Sequence, residues 1–314
     1  MTASSARSAG VGAIPAALLL LFIAGPASAQ ILPWEIVVAE IEAGRVRNLA
    51  QRLNKQYLLY QLRLGEVTKS DLADTAAQID RVLESLRKGN PSRSIPEPWT
   101  PQLREQLEAV EEDWAPIGRI AVASPYDHIR VRREFGVSTD RGGDPLLLQY
   151  FDDLTLQLVS QSEKLVSLYH EECTKTGLEV CATAQSSGYG AMVIERAAKE
   201  AVGVVAGIRP AENRKRLKAS IATYQELRAA NNANPFFAAA LDPERGVSAQ
   251  AAAELLLSLR QDWDVMQAEF TILEAGDEKN FALERLLTTQ AKLVAKVERL
   301  TAALIRYASL TYGS

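Results

Sequence analysis

The chain has 314 residues, which as a rule makes about two domains. Apolar residues supply 47% and charged residues 24%, the balance of a folded protein and not of a disordered one. Thirty-five basic against 39 acidic side chains leave a net charge of −4, which disfavours a nucleic-acid binder, and two His with two Cys cannot furnish a multi-metal or iron–sulfur centre. Aromatics are only 6%, while Ala, Leu, Gln, Glu and Arg recur throughout, which favours helices over a sandwich or barrel.

Residues 1–29 read as a cleavable export signal. Arg7 precedes an apolar run, Ala13–Ala24, and the stretch closes Ala27-Ser28-Ala29 before Gln30, a small-x-small exit. The run is shorter than the roughly 20 residues a membrane-spanning helix needs. Cleavage after Ala29 would release residues 30–314 into the periplasm; an uncleaved anchor is the alternative. No later stretch is long and uncharged enough to cross a bilayer.

The first helix carries Val46, Leu49, Leu53, Tyr60 and Leu64 at three- and four-residue steps, with Gly65 to end it. Thr68 with Asp71 can cap the second helix, which Gly89-Asn90-Pro91 terminates. Thr100-Pro101 places a cap residue before a proline at the first helical position of the third. That helix shows Leu103, Leu107, Val110, Trp114 and Ile117 on one seam. A segment within Ala121–Pro145 follows, locally basic through Arg130, Arg132, Arg133 and Arg141 and holding a lone His128. It is either a partner-binding loop or a solvated one. Leu158, Val159 and Leu165 mark the fourth helix.

Cys173 and Cys181 come next. An exported chain meets oxidising conditions, so a disulfide closing the short Thr174–Val180 loop is expected. The rival use, His170 with both thiols as metal ligands, lacks a fourth donor.

The pattern then recurs. The third-helix steps return at Ala252, Leu256, Leu259, Trp263 and Met266, with Asp113-Trp114 matched by Asp262-Trp263. Glu163-Lys164-Leu165 is matched by Glu298-Arg299-Leu300, Gln51–Gln56 by Glu195–Glu200, and Leu83–Arg87 by Tyr224–Arg228. Gly207 and Pro210 mark the first turn of this copy, Ser248 can cap its third helix, and Leu293, Val297, Leu300, Leu304 and Tyr307 form its last seam. Four recurring segments in one order point to a tandem duplication. One such helix cannot bury its stripe, but four enclose a core. The expected fold is all-α: two tandem antiparallel four-helix bundles, 30–173 and 188–314, joined by a linker over 174–187 that carries the Cys pair. The second copy is longer between its second and third helices and lacks the Ala121–Pro145 insertion.

The first helix reads Ala43-Gly44-Arg45-Val46-Arg47-Asn48-Leu49-Ala50-Gln51-Arg52-Leu53-Asn54-Lys55. This resembles the signature of the type IV pili methyl-accepting chemotaxis transducer N-terminal (PilJ-type) family and is similar to the periplasmic module of nitrate/nitrite sensor kinases. Ala43, Gly44, Arg47, Leu49, Gln51, Arg52 and Lys55 match; Val46, Asn48 and Ala50 depart. The resemblance implies a sensory module in which Arg47 binds a small oxyanion such as nitrate or nitrite, where the first helices of two chains meet as a homodimer. With Val46 and Leu49 on the seam, Arg47 faces away from its own core, and Arg45 and Arg52 flank it. A guanidinium there offers a planar fork of donors to an oxyanion; otherwise it is a solvated charge. The second copy has Ala191 in the place of Arg47, so a symmetric two-Arg site requires two chains.

Transducers of this type normally continue into membrane and cytoplasmic parts. None follows in the sequence to Ser314, so a separate membrane-bound transducer or kinase is the expected partner. The alternative function is a non-catalytic interaction protein of the cell envelope or pilus system with no small-molecule ligand. No nucleophile, phosphate loop or haem motif is present, and neither an enzyme activity nor a cofactor is expected.

Overall fold

Apolar spacing near 3.6 residues, punctuated by Gly and Pro, becomes a run of long helices. The computed structural model describes residues 31–123, 145–178, 180–242, 244, 247–277 and 280–312. Residues 1–29, read as an export signal, and residues 124–144, with the basic side chains and His128, lie outside the described residues. In chain order the helices are α1 (Pro33–Leu62), α2 (Lys69–Lys88), α3 (Pro101–Val122), α4 (Pro145–Thr174), α5 (Val180–Val205), α6 (Pro210–Ala233), α7 (Pro235–Ala240), α8 (Val247–Glu274) and α9 (Leu283–Tyr312), with a 3-10 turn at Pro91–Arg93. The described residues contain no strand, and the fold is all-α. No described helix is long and apolar enough to cross a membrane.

The helix ends follow local chemistry. Thr68 and Asp71 form a reciprocal capping box: the Asp71 amide donates to Thr68 Oγ1 at 3.3 Å and the Thr68 amide to Asp71 Oδ2 at 2.7 Å. The Leu103 amide donates to Thr100 Oγ1 at 3.2 Å. Gly89 and Gly207 take positive φ at the ends of α2 and α5. α1 stops at Leu62, earlier than the Gly65 expectation, because Arg63 itself turns left-handed and its amide reaches the Leu59 and Tyr60 carbonyls. α8 already includes Val247, so Ser248 falls within its first turn. The extra length between the second and third helices of the second half holds the short α7, which the sequence reading missed.

Cross-helix bonds give the directions. Gln56 meets Thr75 across the short α1–α2 turn, Asp80 and Arg87 meet Trp114 and Glu111 in reverse order, and so do Gln106 and Asp113 with Gln161 and Gln157, so α1 to α4 run alternately up and down. Arg196 and Gly203 lie against Ser220 and Asn213, Arg228 and Asn232 against Asp264 and Arg260, and Asp262 and Glu269 against Lys296 and Arg285, which is the same alternation in α5, α6, α8 and α9. Each set surrounds its own apolar cluster. Leu49, Leu53, Ile79, Val110, Trp114 and Leu158 belong to one; Met192, Tyr224, Trp263, Phe270, Leu293 and Leu300 belong to the other. The clusters also trade residues, since Ile36 and Val37 of α1 pack into the second while Val202 and Ile208 pack into the first. Residues from Ile31 onward form one compact unit.

Cys173 and Cys181 are bonded, as expected, and both are buried. The segment read as a linker, 174–187, is mostly helix, for α5 begins at Val180. Ser186-Ser187-Gly188-Tyr189-Gly190 has poor helix propensity, but α5 packs extensively on α1 and α6, and tertiary contact overrides propensity. One glycine on α5 is fixed by packing: a Cβ on Gly203 would lie 2.4 Å from Asn213 Nδ2, which is held by the Ile208 carbonyl.

Candidate functional site

α1 is the helix on which the sequence places its site, and it is the most enclosed helix in the molecule's first half. It packs on α2, α4 and, most extensively, α5. The last contact is parallel: Arg47 lies over the Tyr189 ring, Arg52 and Lys55 meet Glu195, and Asn54 and Lys199 share Asp152. No residue between Trp34 and Leu62 is exposed. The face expected to meet the first helix of a second chain is therefore occupied by α5 of the same chain. The reading of Arg47 as a solvated charge is corrected too, since it is 1% exposed.

Seven polar residues of α1 are buried: Glu40, Glu42, Arg47, Asn48, Gln51, Asn54 and Lys55. Buried charges require partners, because desolvation otherwise costs several kcal/mol, on the order of the penalties for isolated ions. The partners come from every side. His170 Nδ1 lies 3.0 Å from Glu40 Oε1, and Arg93 pairs with Glu42. Glu195 takes Arg52 Nε at 2.9 Å and Lys55 Nζ at 2.8 Å, while Lys55 also donates to Gln290. Asp152 accepts from Asn54 at 2.8 Å, Lys199 at 3.0 Å and Arg216 at 3.2 Å.

These contacts set the ionisation. Burial works to raise Glu195, but Lys55 and Arg52 together outweigh it and hold the carboxyl below its usual range. Lys55 is also lowered, chiefly by burial, because it has a single anion in Glu195 and the like-charged Arg52 beside it. Burial likewise works to raise Asp152, and Lys199, Asn54 and Arg216 pull it down overall. Burial drives Glu40 up against the pull of His170, and the hydrogen bond to Glu40 raises His170.

A raised histidine contributes stability below its unfolded value, about pH 6.5, and that contribution is lost as pH rises through the folded value. The advantage of the native chain over His170→Gln is accordingly expected to be largest below about pH 6.5 while Glu40 stays ionised, and to shrink as pH rises. Urea unfolding of both proteins across a pH series checks this; a constant difference would show that the pair carries no charge-dependent stability.

Of the sequence-predicted residues, Arg47 and Arg52 lie in the seam and Arg45 does not. Arg45 is near the surface, 3.8 Å from Glu42, beside a cleft it shares with Arg81, Lys88 and Arg93. Arg52 is spent on Glu195 and on Glu298 at 3.3 Å. Arg47 keeps unspent capacity. It pairs with Glu163 of α4, its Cζ sits 5.3 Å from the Tyr189 ring centre, and its Nε is buried with no acceptor among the described residues. Gly44 leaves room for it, since a Cβ there would come within 3.3 Å of Nη2 and the guanidinium would have to give by a few tenths of an ångström. Glu163 is 45% exposed and lines a groove of about 600 Å³ with Gln106, Tyr189 and Arg196. A buried cation thus sits behind a carboxylate that faces solvent.

Glu163, Glu195, Tyr189, Asp152 and the Glu40–His170 pair were not identified from sequence as site residues. The signal for Glu163 was its recurrence as Glu298: both lie on final helices and both reach an Arg of α1.

Comparison with known proteins agrees with the motif on α1. Residues 42–127 match the family model described as the type IV pili methyl-accepting chemotaxis transducer N-terminal domain (PilJ). The matched stretch holds Arg45, Arg47 and Arg52 and runs through α3. It is similar to the sensory module of chemotaxis transducers, which work with other signalling components. No curated protein and no solved structure matches the chain.

Proposed function

We propose that this protein is an exported, periplasmic sensory module of the chemotaxis-transducer type. Its two four-helix bundles descend from a tandem duplication, and it recognises a small oxyanion such as nitrate or nitrite at Arg47. The observation that carries the reading is the pairing just described: a fully buried guanidinium, with one donor unpaired, covered by a solvent-facing carboxylate over an open groove. An oxyanion entering along the groove takes the place of the Glu163 carboxylate, and the planar fork of Arg47 receives it. The site is asymmetric and lies within one chain, because α5, which has Ala191 in the place of Arg47, stands where a partner's first helix would be. Exchange of Glu163 for a free anion loosens α4 from α1, and that change passes to a separate membrane-bound transducer or kinase.

Glu163→Gln removes the built-in competitor and leaves Arg47 in place. It is expected to tighten nitrate or nitrite binding by about tenfold, the order of a charge-assisted hydrogen bond gained. Arg47→Met is expected to abolish binding. Isothermal calorimetry with both anions on the purified chain reads the result. No heat from either anion in the native chain and in Glu163→Gln would overturn the reading. It would leave the bundles as an interaction protein of the cell envelope whose Arg47 is purely structural.

A further inference from the structure

The second half of α2, the neighbouring part of α1 and the turn at Pro91–Arg93 enclose a cleft of about 460 Å³, separate from the groove in front of Arg47. Gln78, Arg81, Ser85 and Lys88 follow at steps of three, four and three, which sets them in one stripe along α2. α1 adds Arg45 and the turn adds Arg93. Four of the ten lining residues are therefore cations, against 35 of 314 in this acidic chain. One carboxylate, Glu84, stands on the same lining, so the described residues leave it a net charge of +3.

Folding accounts for part of this charge. Lys88 lies in the last turn of α2, where the helix dipole favours a cation, and pairs with Glu84 at 2.9 Å. Arg93 and Arg45 both lie against the buried Glu42, which holds them in place but covers neither, for each keeps 40% of its side chain exposed. The base of Arg93 is fixed as well, because Asn90 and Ile95 close the turn through both amides, at 2.7 and 3.0 Å. Arg81 is different. It lies two turns before the helix end, beyond the reach of the dipole, and has neither a carboxylate nor a hydrogen-bond partner among the described residues.

We infer that this cleft binds a small molecule carrying several carboxylates. Its volume falls within the range of small-molecule sites, about 300–1,000 Å³, but its lining is polar where theirs is mostly apolar, so charge must supply the affinity. Arg81 and Lys88 stand about 10 Å apart along α2, so a ligand with spaced charges reaches more of the set than one compact oxyanion does. The guanidinium forks of Arg45, Arg81 and Arg93 match carboxylates two donors at a time, and cations held in place before binding lose less freedom on it. A cleft of one sign also concentrates solutes of the other at its mouth. None of this rests on the Arg47 reading.

Tricarballylate, with three carboxylates, is the probe. Glutarate carries two on a chain of the same length, and pyrophosphate packs comparable charge into a shorter span. Each is titrated calorimetrically into the full chain at one fixed ionic strength. Tricarballylate is expected to bind saturably, about fivefold more tightly than glutarate, the most that one exposed ion pair returns, and more tightly than pyrophosphate. Arg81 and Glu84 are exposed, so their variants leave the cores intact. Arg81→Gln is expected to weaken tricarballylate about fivefold with the thermal midpoint of the free protein unchanged, and Glu84→Gln, which frees Lys88, to tighten it severalfold. Nitrate in place of chloride at equal ionic strength is expected to leave tricarballylate binding as it was, because the Arg47 site is a different one. Absence of saturable tricarballylate binding, equal or tighter binding of glutarate or pyrophosphate, displacement by nitrate, or affinity unchanged in both variants would each overturn the assignment.

Discussion

Glu195→Ala is expected to cost about 3–5 kcal/mol of folding stability, the penalty for leaving buried charge without its partner. Glu195 is 1% exposed and is the shared anion of Arg52 and Lys55, so its loss strands an ammonium that has only the Gln290 amide left. The cost is one of desolvation and is not a measure of what the pair contributes, because well-packed apolar replacements of buried ion pairs are often neutral. A double-mutant cycle makes the distinction: adding Lys55→Met to Glu195→Ala is expected to recover part of the loss, which urea unfolding followed by circular dichroism will show. Losses that simply add would mean that the two residues do not act as a pair. The same carboxylate sets the acid limit. Glu195 and Asp152 are both held below the usual carboxylate range, so their contribution is present above the unfolded values, 4.5 for the Glu and 3.8 for the Asp, and disappears as pH falls through the lower folded values. In Glu195→Ala the Glu195 share of that acid-side loss is expected to vanish.

Trp263→Ala is expected to be comparably severe, about 3–5 kcal/mol, by the different route of cavity formation. The indole is 0% exposed, stacks on Tyr224, meets Phe270 edge-on with centroids 6.2 Å apart, and donates to Gln267 at 3.1 Å. Trp263→Phe keeps an aromatic ring against Tyr224 and is expected to cost markedly less. The mode of unfolding is part of the prediction. Ile36 and Val37 lie in the cluster that Trp263 centres, and Val202 lies in the other, so the damage is expected to lower a single thermal transition. A separate early transition confined to α5–α9 would show that the two clusters melt independently.

Much of the architecture was legible because it is local. Thr68, Thr100, Gly89 and Gly207 punctuate the helices by cap and turn chemistry, and Val46, Leu49, Leu53, Leu293 and Leu300 face the cores that their spacing predicted. The seam was not legible. A heptad separates the face toward a helix's own bundle from the face away from it, and it assigns the second to water. In α1 that second face, with Arg47, Gln51 and Lys55, is covered by α5, a contact between segments more than a hundred residues apart. Polar sequence on α1 therefore read as surface when it is interior. The spacing of Gly44 and Arg47 was visible, whereas its cause, room for the guanidinium against the helix backbone, emerges only from the coordinates. The short α7 escaped because six residues carry too little periodicity to declare a helix.

The parallel contact of α1 and α5 has a consequence for behaviour at low concentration. An interface this rich in charge gives little affinity to separate molecules, since desolvation consumes most of what its pairs return. Here only residues 175–179 connect α4 to α5, inside the loop that Cys173 and Cys181 close. A tether that short holds its ends at an effective concentration in roughly the millimolar range whatever the amount of protein in solution. Association is thereby converted into an intramolecular event that dilution leaves untouched, so a single copy at any dilution keeps the buried pairs of α1 and α5 assembled.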